Sequence, residues 1–139
     1  MNEWKKLLIV LSIVLTLIIA QPVTHVEAAK TYKVQYKIIG INKSLKSKVM
    51  AKGTIKVKKN KTVYYSLKKF CKQKKLTLKS RGYGPTRYVY KIGSLQERQH
   101  GNLSGWMYSV NGKYPNKSCG SYKITKKCTV VWTYVNATK

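Results

Sequence analysis

The segment Ser104–Asn116, reading Ser-Gly-Trp-Met-Tyr-Ser-Val-Asn-Gly-Lys-Tyr-Pro-Asn, constrains the fold more than any other stretch of the chain. Trp106–Val110 is an aromatic and β-branched run, the composition that suits a pleated, half-buried strand. Asn111-Gly112 supplies the two positive-φ positions that a type I′ turn requires. Lys113 and Tyr114 begin a return strand, and Pro115 stops it because proline has no N–H for the ladder. A β-hairpin is therefore expected here. Thr129–Tyr134, ending in Trp132 and Tyr134, is a further strand.

The rest of the chain supplies partners for these strands. Thr31–Ile39 alternates, with Tyr32, Val34, Tyr36 and Ile38 on one face and Lys33, Gln35 and Lys37 on the other. Lys48–Val57 reads as a second strand, with Gly53 at a turn or bulge. Asn60 or Thr62 is placed to cap a helix whose apolar positions Val63, Leu67, Phe70 and Cys71 form one stripe. Lys72, Lys74 and Lys75 fall in its last turn, where cations complement the helix dipole. Leu76–Ser80 and Arg87–Ile92 read as strands around the loop Gly82–Pro85. Ser121–Ile124 and Thr129–Tyr134 are expected to form a C-terminal hairpin turning at Lys126-Lys127. The implied class is α+β: a small, mostly antiparallel sheet with one amphipathic helix.

The N-terminus reads as a secretory signal rather than as part of this fold. Lys5 and Lys6 precede a fourteen-residue apolar run, Leu7–Ala20, broken by Pro22. Val26-Glu27-Ala28 has compact residues where signal peptidase reads. The run is short of the roughly 20 residues that a membrane span needs, and the alternative is retention as an anchor. Residues 1–28 are thus expected to be removed, leaving 29–139 as one domain, secreted or extracellular.

Charge narrows the partners. The chain carries 29 Lys and Arg against three acids, for a net charge of +26. Residues 1–28 hold two of the lysines and two of the acids, so the whole net charge belongs to 29–139, where Glu97 is the sole acid. A domain of this kind repels itself and attracts polyanions. Bias toward lysine codons accounts for part of the excess but not for the near-absence of acids. Lysine outnumbers arginine by 26 to 3, which favours diffuse electrostatics over the bidentate recognition that arginine performs. The candidate polyanion-binding residues are Lys56, Lys58, Lys59 and Lys61 with Lys68, Lys69, Lys72 and Lys75. The helix lysines are expected to join the odd face of the first strand in one continuous basic surface.

Gly-Trp-Met-Tyr-x-Val-Asn-Gly, followed by Cys119-Gly120-Ser121-Tyr122 and Val131-Trp132-Thr133-Tyr134, resembles a bacterial domain family of unknown function. That family is related to the C-terminal β-domain of transcobalamin and intrinsic factor. The likeness extends upstream through Thr62-Val63-x-x-Ser66-Leu67 and covers roughly Tyr32–Val135. It implies a secreted, non-catalytic α+β module. It also implies that the hairpin and its neighbouring loops face a ligand, which makes Tyr108, Asn111 and Tyr114 the candidate contacts. The companion α-domain that completes cobalamin binding in transcobalamin has no counterpart in the sequence.

Export permits disulfides, and three cysteines leave at least one unpaired. If the C-terminal hairpin turns near Lys126, Cys119 and Cys128 sit too far apart along the ladder to bridge. Cys71–Cys119, helix to sheet, is the pairing retained. Relatives carry cysteines where His100 and Val135 stand here, so the family's own bridges do not transfer.

Enzymatic chemistry is short of parts. His100 is the one histidine of 29–139 and Glu97 the one carboxylate. A Ser-His-Asp triad and a carboxylate pair cannot be assembled from these. The cysteines lack the paired spacing of a zinc site. No cofactor is implied. The leading expectation is a non-enzymatic binding module held at an anionic cell surface or wall polymer, such as teichoic acid. The alternatives are a corrinoid half-module with cobalamin as ligand, and non-specific capture of extracellular nucleic acid.

Overall fold

A computed structural model describes residues 1–8 and 27–136. Among the described residues of the domain there are seven strands and one α-helix, with a short 3-10 turn at Gly84–Thr86: β1 (Thr31–Ile41), β2 (Ser47–Lys58), α1 (Val63–Gln73), β3 (Leu78–Arg81), β4 (Tyr88–Ile92), β5 (Leu95–Gln96), β6 (Gly105–Val110) and β7 (Cys128–Val135). Two sheets result, one of four strands in the order β2-β1-β7-β6 and one of three in the order β3-β4-β5. The α+β class read from the sequence holds. The apolar run Leu7–Ala20 lies mostly outside the described residues. No helix among those described is long and apolar enough to cross a membrane.

Alternation in β1 does what period-2 patterning demands. Val34, Tyr36 and Ile38 are buried, and Lys33, Gln35 and Lys37 are exposed. The stripe on α1 is equally faithful, since Val63, Leu67, Phe70 and Cys71 are all buried. The helix lies on the Tyr36 face of the large sheet. Phe70 stacks on Tyr36 at 4.8 Å between ring centroids, and the Tyr36 hydroxyl bonds Ser66 Oγ and the Val63 carbonyl. The small sheet covers the other half of the same face. Trp106 Nε1–H donates to the Leu95 carbonyl at 3.1 Å, and the Tyr134 hydroxyl donates to the Gln96 carbonyl at 2.7 Å.

The cap is Thr62, whose Oγ1 accepts from Tyr65 N–H. Asn60 instead sits at φ +64° in the preceding turn. A helix leaves its first four N–H groups without intrahelical partners. Here Val63 N–H donates to Tyr122 O and Tyr64 N–H to Cys119 O, at 2.9 and 2.8 Å.

That cap overturns the expected C-terminal hairpin. Residues 121–124 are not a strand, because their backbone is spent on the start of α1. Besides Tyr122 O, Ile124 N–H donates to Lys61 O, and Ile124 O accepts from Asn60 N–H. β7 runs parallel to β1 instead, with Val34 opposite Cys128 and Ile38 opposite Trp132. The Asn111-Gly112 turn is present at φ +50° and +76°, closed by Val110 N–H to Lys113 O at 2.9 Å. Its return strand ends after that single bridge. β6 takes β7 as its partner, through six residue pairs from Gly105–Val135 to Val110–Val130.

Gly53 is neither a turn nor a bulge. It sits mid-strand opposite Tyr36. A Cβ there would press on Lys74 and on Phe70 at 3.2–3.4 Å, so glycine lets the helix approach β2. The register shift lies elsewhere, at Ile38/Ile39. It leaves Met50 unpaired, and Met50 packs beside Gly40 and Gly93.

Phe70→Ala should cost about 3–5 kcal/mol, as expected for an aromatic deleted from a closed core. Thr62→Ala should cost about 1 kcal/mol as a lost cap. Urea denaturation of both variants reads the two values, and a Phe70→Ala loss as small as that of Thr62→Ala would contradict this packing.

Candidate functional site

The helix lysines and the strand lysines do not share a surface. α1 packs on the Tyr36 face of the large sheet, so the exposed Lys68, Lys69 and Lys72 lie on its outer side, whereas Lys74 is the C-cap and Lys75 stands beyond it at φ +54°, outside the last turn where both were expected. Lys33 and Lys37 occupy the opposite face of β1. The expected continuous basic surface is therefore split by the sheet itself. At the β2 edge Lys69 Nζ donates to the backbone carbonyl of Lys56 at 2.7 Å. Lys59 and Lys61 lie in the turn before the helix, and Lys61 rides over the Tyr65 ring at 5.1 Å.

The face left open has a register that sequence reasoning did not supply. Lys33 stands directly opposite Lys56, and Lys37 directly opposite Lys52. Thr31 faces Lys58 at one end of the ladder. Between the two lysine rows lies a polar row: Gln35 opposite Thr54 on one side and Thr129 on the other. Thr129 Oγ1 donates to Gln35 Oε1 at 3.2 Å. All five lysines are exposed. Lys52 was missed as a candidate because Gly53, read as a turn, hid the pairing.

The sole acid of 29–139 does nothing to balance this face. Glu97 pairs with Arg81 through both carboxylate oxygens. That hydrogen bond holds its carboxyl below the ordinary range, and the Tyr88 hydroxyl acts in the same direction. Arg81 in turn lies over the Tyr88 ring at 4.6 Å. The pair lines an open cleft of about 370 Å³ with Arg98, Leu103 and Trp106.

Tyr108 and Tyr114 do meet. They line an aromatic cleft of about 220 Å³ together with Trp106, Trp132, Val89 and Arg87. Tyr108 stacks on Trp132 at 5.3 Å and donates its hydroxyl to the Lys117 carbonyl. Burial pushes that phenol well above its usual value. One wall is built by Ser118, whose hydroxyl donates to the Arg87 carbonyl at 2.8 Å. Trp132 Nε1–H is buried with no partner among the described residues, a costly state for a donor. Asn111 does not line this cleft. Its side chain accepts from Thr129 N–H at 2.9 Å and so ties the turn to β7.

Cys71, Cys119 and Cys128 are all buried and stand as free thiols in this structure. Cys119 turns its sulfur toward the Arg87 carbonyl, at 3.8 Å, while Cys71 belongs to the buried stripe of α1. Burial pushes the Cys71 thiol up to about 12 and the Cys119 thiol up to about 11, and it raises Cys128 as well. His100 is half-buried against the edge of Tyr134.

Comparison with known proteins completes the site. A family profile described as a domain of unknown function, DUF4430, matches residues 60–136. Haptocorrin, in a structure with Cbi, is 16% identical at a TM-score of 0.59, over 79% of this chain and 26% of haptocorrin. The chain thus spans about a quarter of that protein. A Ruminococcus gnavus protein provisionally described as metal binding is 10% identical at a TM-score of 0.52, over 76% of this chain and 98% of its own. At these identities the likeness is one of fold. No curated protein matches the sequence.

Because their pKa is raised in the folded state, the thiols hold their protons longer there than in the unfolded chain. They therefore withdraw stability as pH climbs from about 9, the ordinary thiol value, toward the folded values. The loss of stability between pH 8.5 and 10.5 should be smaller in a Cys71→Ala/Cys119→Ala variant than in the parent. Urea midpoints at the two pH values measure it, and equal losses would contradict the burial of these thiols.

Proposed function

The chain belongs to the DUF4430 family, and from that membership and its transcobalamin-type fold we propose a secreted, non-enzymatic binding module held at an anionic cell surface or wall polymer. Residues 1–28 act as the signal, and 29–139 are the working domain. One observation carries the reading. A net charge of +26 is left uncompensated, because the one acid of the domain is consumed by Arg81. A solvated surface is ordinarily mixed in sign, and this one is free to hold a polyanion. Lys56, Lys58, Lys59, Lys61, Lys68, Lys69, Lys72 and Lys75 contribute to the field.

The aromatic cleft favours a second reading, a corrinoid-binding half-module. A cleft lined by Tyr108, Tyr114 and Trp106 offers aromatic surface to a flat ligand. The likeness to haptocorrin, a protein seen with Cbi, supports the corrinoid. At about 220 Å³ the cleft holds an edge or side chain of such a ligand rather than the whole ring. Extracellular nucleic acid is a third partner that the charge permits, with affinity that falls steeply with salt.

Two measurements separate these. The protein should sediment with isolated cell walls at low salt, be released by salt, and fail to sediment with walls stripped of anionic polymer. Retention on stripped walls would sink the polymer reading. Titration with cobalamin at high salt, where the field is screened, should leave tryptophan fluorescence unchanged. Saturable quenching there would make the corrinoid the ligand and the charge a means of localisation.

A further inference from the structure

We propose that the face of the large sheet left uncovered by the described residues, and not the helix, is the polymer-binding surface, and that its occupant is a flexible polyol phosphate chain lying across the paired lysine rows. The inference rests on the anionic-polymer reading above and assigns it a place and a ligand chemistry.

Register is the first argument. In an antiparallel pair, directly opposed side chains have Cβ atoms about 4.5–5.5 Å apart, and like charges there destabilise the sheet. Two such pairs occur on one face, Lys33 with Lys56 and Lys37 with Lys52. Among the described residues no acid forms an ion pair with any of them. The nearest remedy in the sequence would be a single glutamate on either strand, and there is none. Anions bound from outside would relieve both pairs at once, so binding and fold stability are linked.

Spacing is the second argument. Side chains two residues apart along a strand recur at about 6.8 Å, so the two lysine rows are about 13 Å apart. Between them Gln35, Thr54 and Thr129 present amide and hydroxyl groups. Charge, hydroxyl partner and charge again is the order that a chain alternating phosphates and polyols presents. Lysine suits it, because an ammonium on a flexible stem follows a mobile phosphate without demanding fixed geometry.

The third argument excludes a strand bearing bases. Single-stranded nucleic acids are held by aromatic platforms that stack the bases. On the large sheet Tyr36, Trp106, Trp132 and Tyr134 all face the buried side. The open rows of β1, β2 and β7 offer Lys, Gln, Thr, Ile and Val and no aromatic ring. The helix lysines compare poorly as a site. Lys69 is bonded to the Lys56 carbonyl, and no like-charged partner stands fixed opposite the others across a ladder.

Two variants of the protein remove the same charge. One is Lys33→Gln/Lys37→Gln/Lys52→Gln/Lys56→Gln, and the other is Lys68→Gln/Lys69→Gln/Lys72→Gln/Lys75→Gln. Binding to poly(glycerol phosphate) is measured as a function of salt, with oligo(dT) as the base-bearing control. The sheet variant should lose at least tenfold more affinity than the helix variant. The slope of log K against log salt should fall by about 3 in the sheet variant, at about 0.7 per neutralised charge on a single-stranded polyanion, and by less than 1 in the helix variant. Without polymer, the sheet variant should melt no lower than the parent, which checks that it folds. Polymer should raise the melting temperature of the parent and not that of the sheet variant.

Equal losses in the two variants would overturn the inference and leave a delocalised polymer binder. Tighter binding of oligo(dT) than of poly(glycerol phosphate) by the parent would overturn the choice of occupant. No binding of poly(glycerol phosphate) by the parent at low salt would overturn the anionic-polymer reading itself.

Discussion

β1 and β7 lie side by side and parallel at the centre of the large sheet, joining opposite ends of the domain. Parallel strands cannot be joined by a tight turn, so everything between them is a crossover that must leave the sheet and return. β2 folds back on the outer side of β1, and β6 closes on the outer side of β7. The helix and the small sheet are the remainder of that crossover, and they occupy one face. Contacts this distant in sequence, such as Gln35 with Thr129, also imply slow folding relative to a helical domain of similar size.

Among the described residues, a crossover that supplies one backing layer leaves one bare face, and that asymmetry organises the chemistry. Tyr36 marks the covered side, stacked on Phe70 and bonded to Ser66. Gln35 and Lys37 mark the other side one residue away in either direction, and Lys33 lies on it two residues before Gln35. Self-repulsion on the bare face is tolerable because lysine ammoniums stay in water, where each pair interacts weakly. The same exposure makes them available to a partner. The aromatic cleft arises from a different gap, where the small sheet and the Ser118–Cys119 segment meet the β6–β7 pair above a Trp132 that is itself buried.

Elements carried by strong local signals were legible. The stripe Val63, Leu67, Phe70 and Cys71, the alternation of β1 and the Asn111-Gly112 turn all depend on neighbours in sequence. Pairing was not legible. Ser121–Ile124 has acceptable strand residues, yet its backbone is committed to Val63 N–H of α1 and to Asn60 and Lys61 just before it, a competitor invisible along the chain. Gly53 carries a similar lesson. Glycine signals either a turn or a close approach, and only the position of Phe70 and Lys74 decides between them. Of the candidate site, Tyr108 and Tyr114 converge while Asn111 is structural, because a side chain in a tight turn can serve the next strand as readily as a ligand.

By itself the sequence determined the class of fold, the faces of β1 and α1, the excess of positive charge and the shortage of catalytic groups. These follow from composition and from periods of 2 and 3.6 residues, which are local. The tertiary structure alone decided which lysines stand opposite one another, that helix and strand lysines lie on opposite sides of a sheet, and that all three thiols are buried. Those depend on register and on which strand claims which partner. Both are set by the competition of distant segments for the same hydrogen bonds and the same buried face.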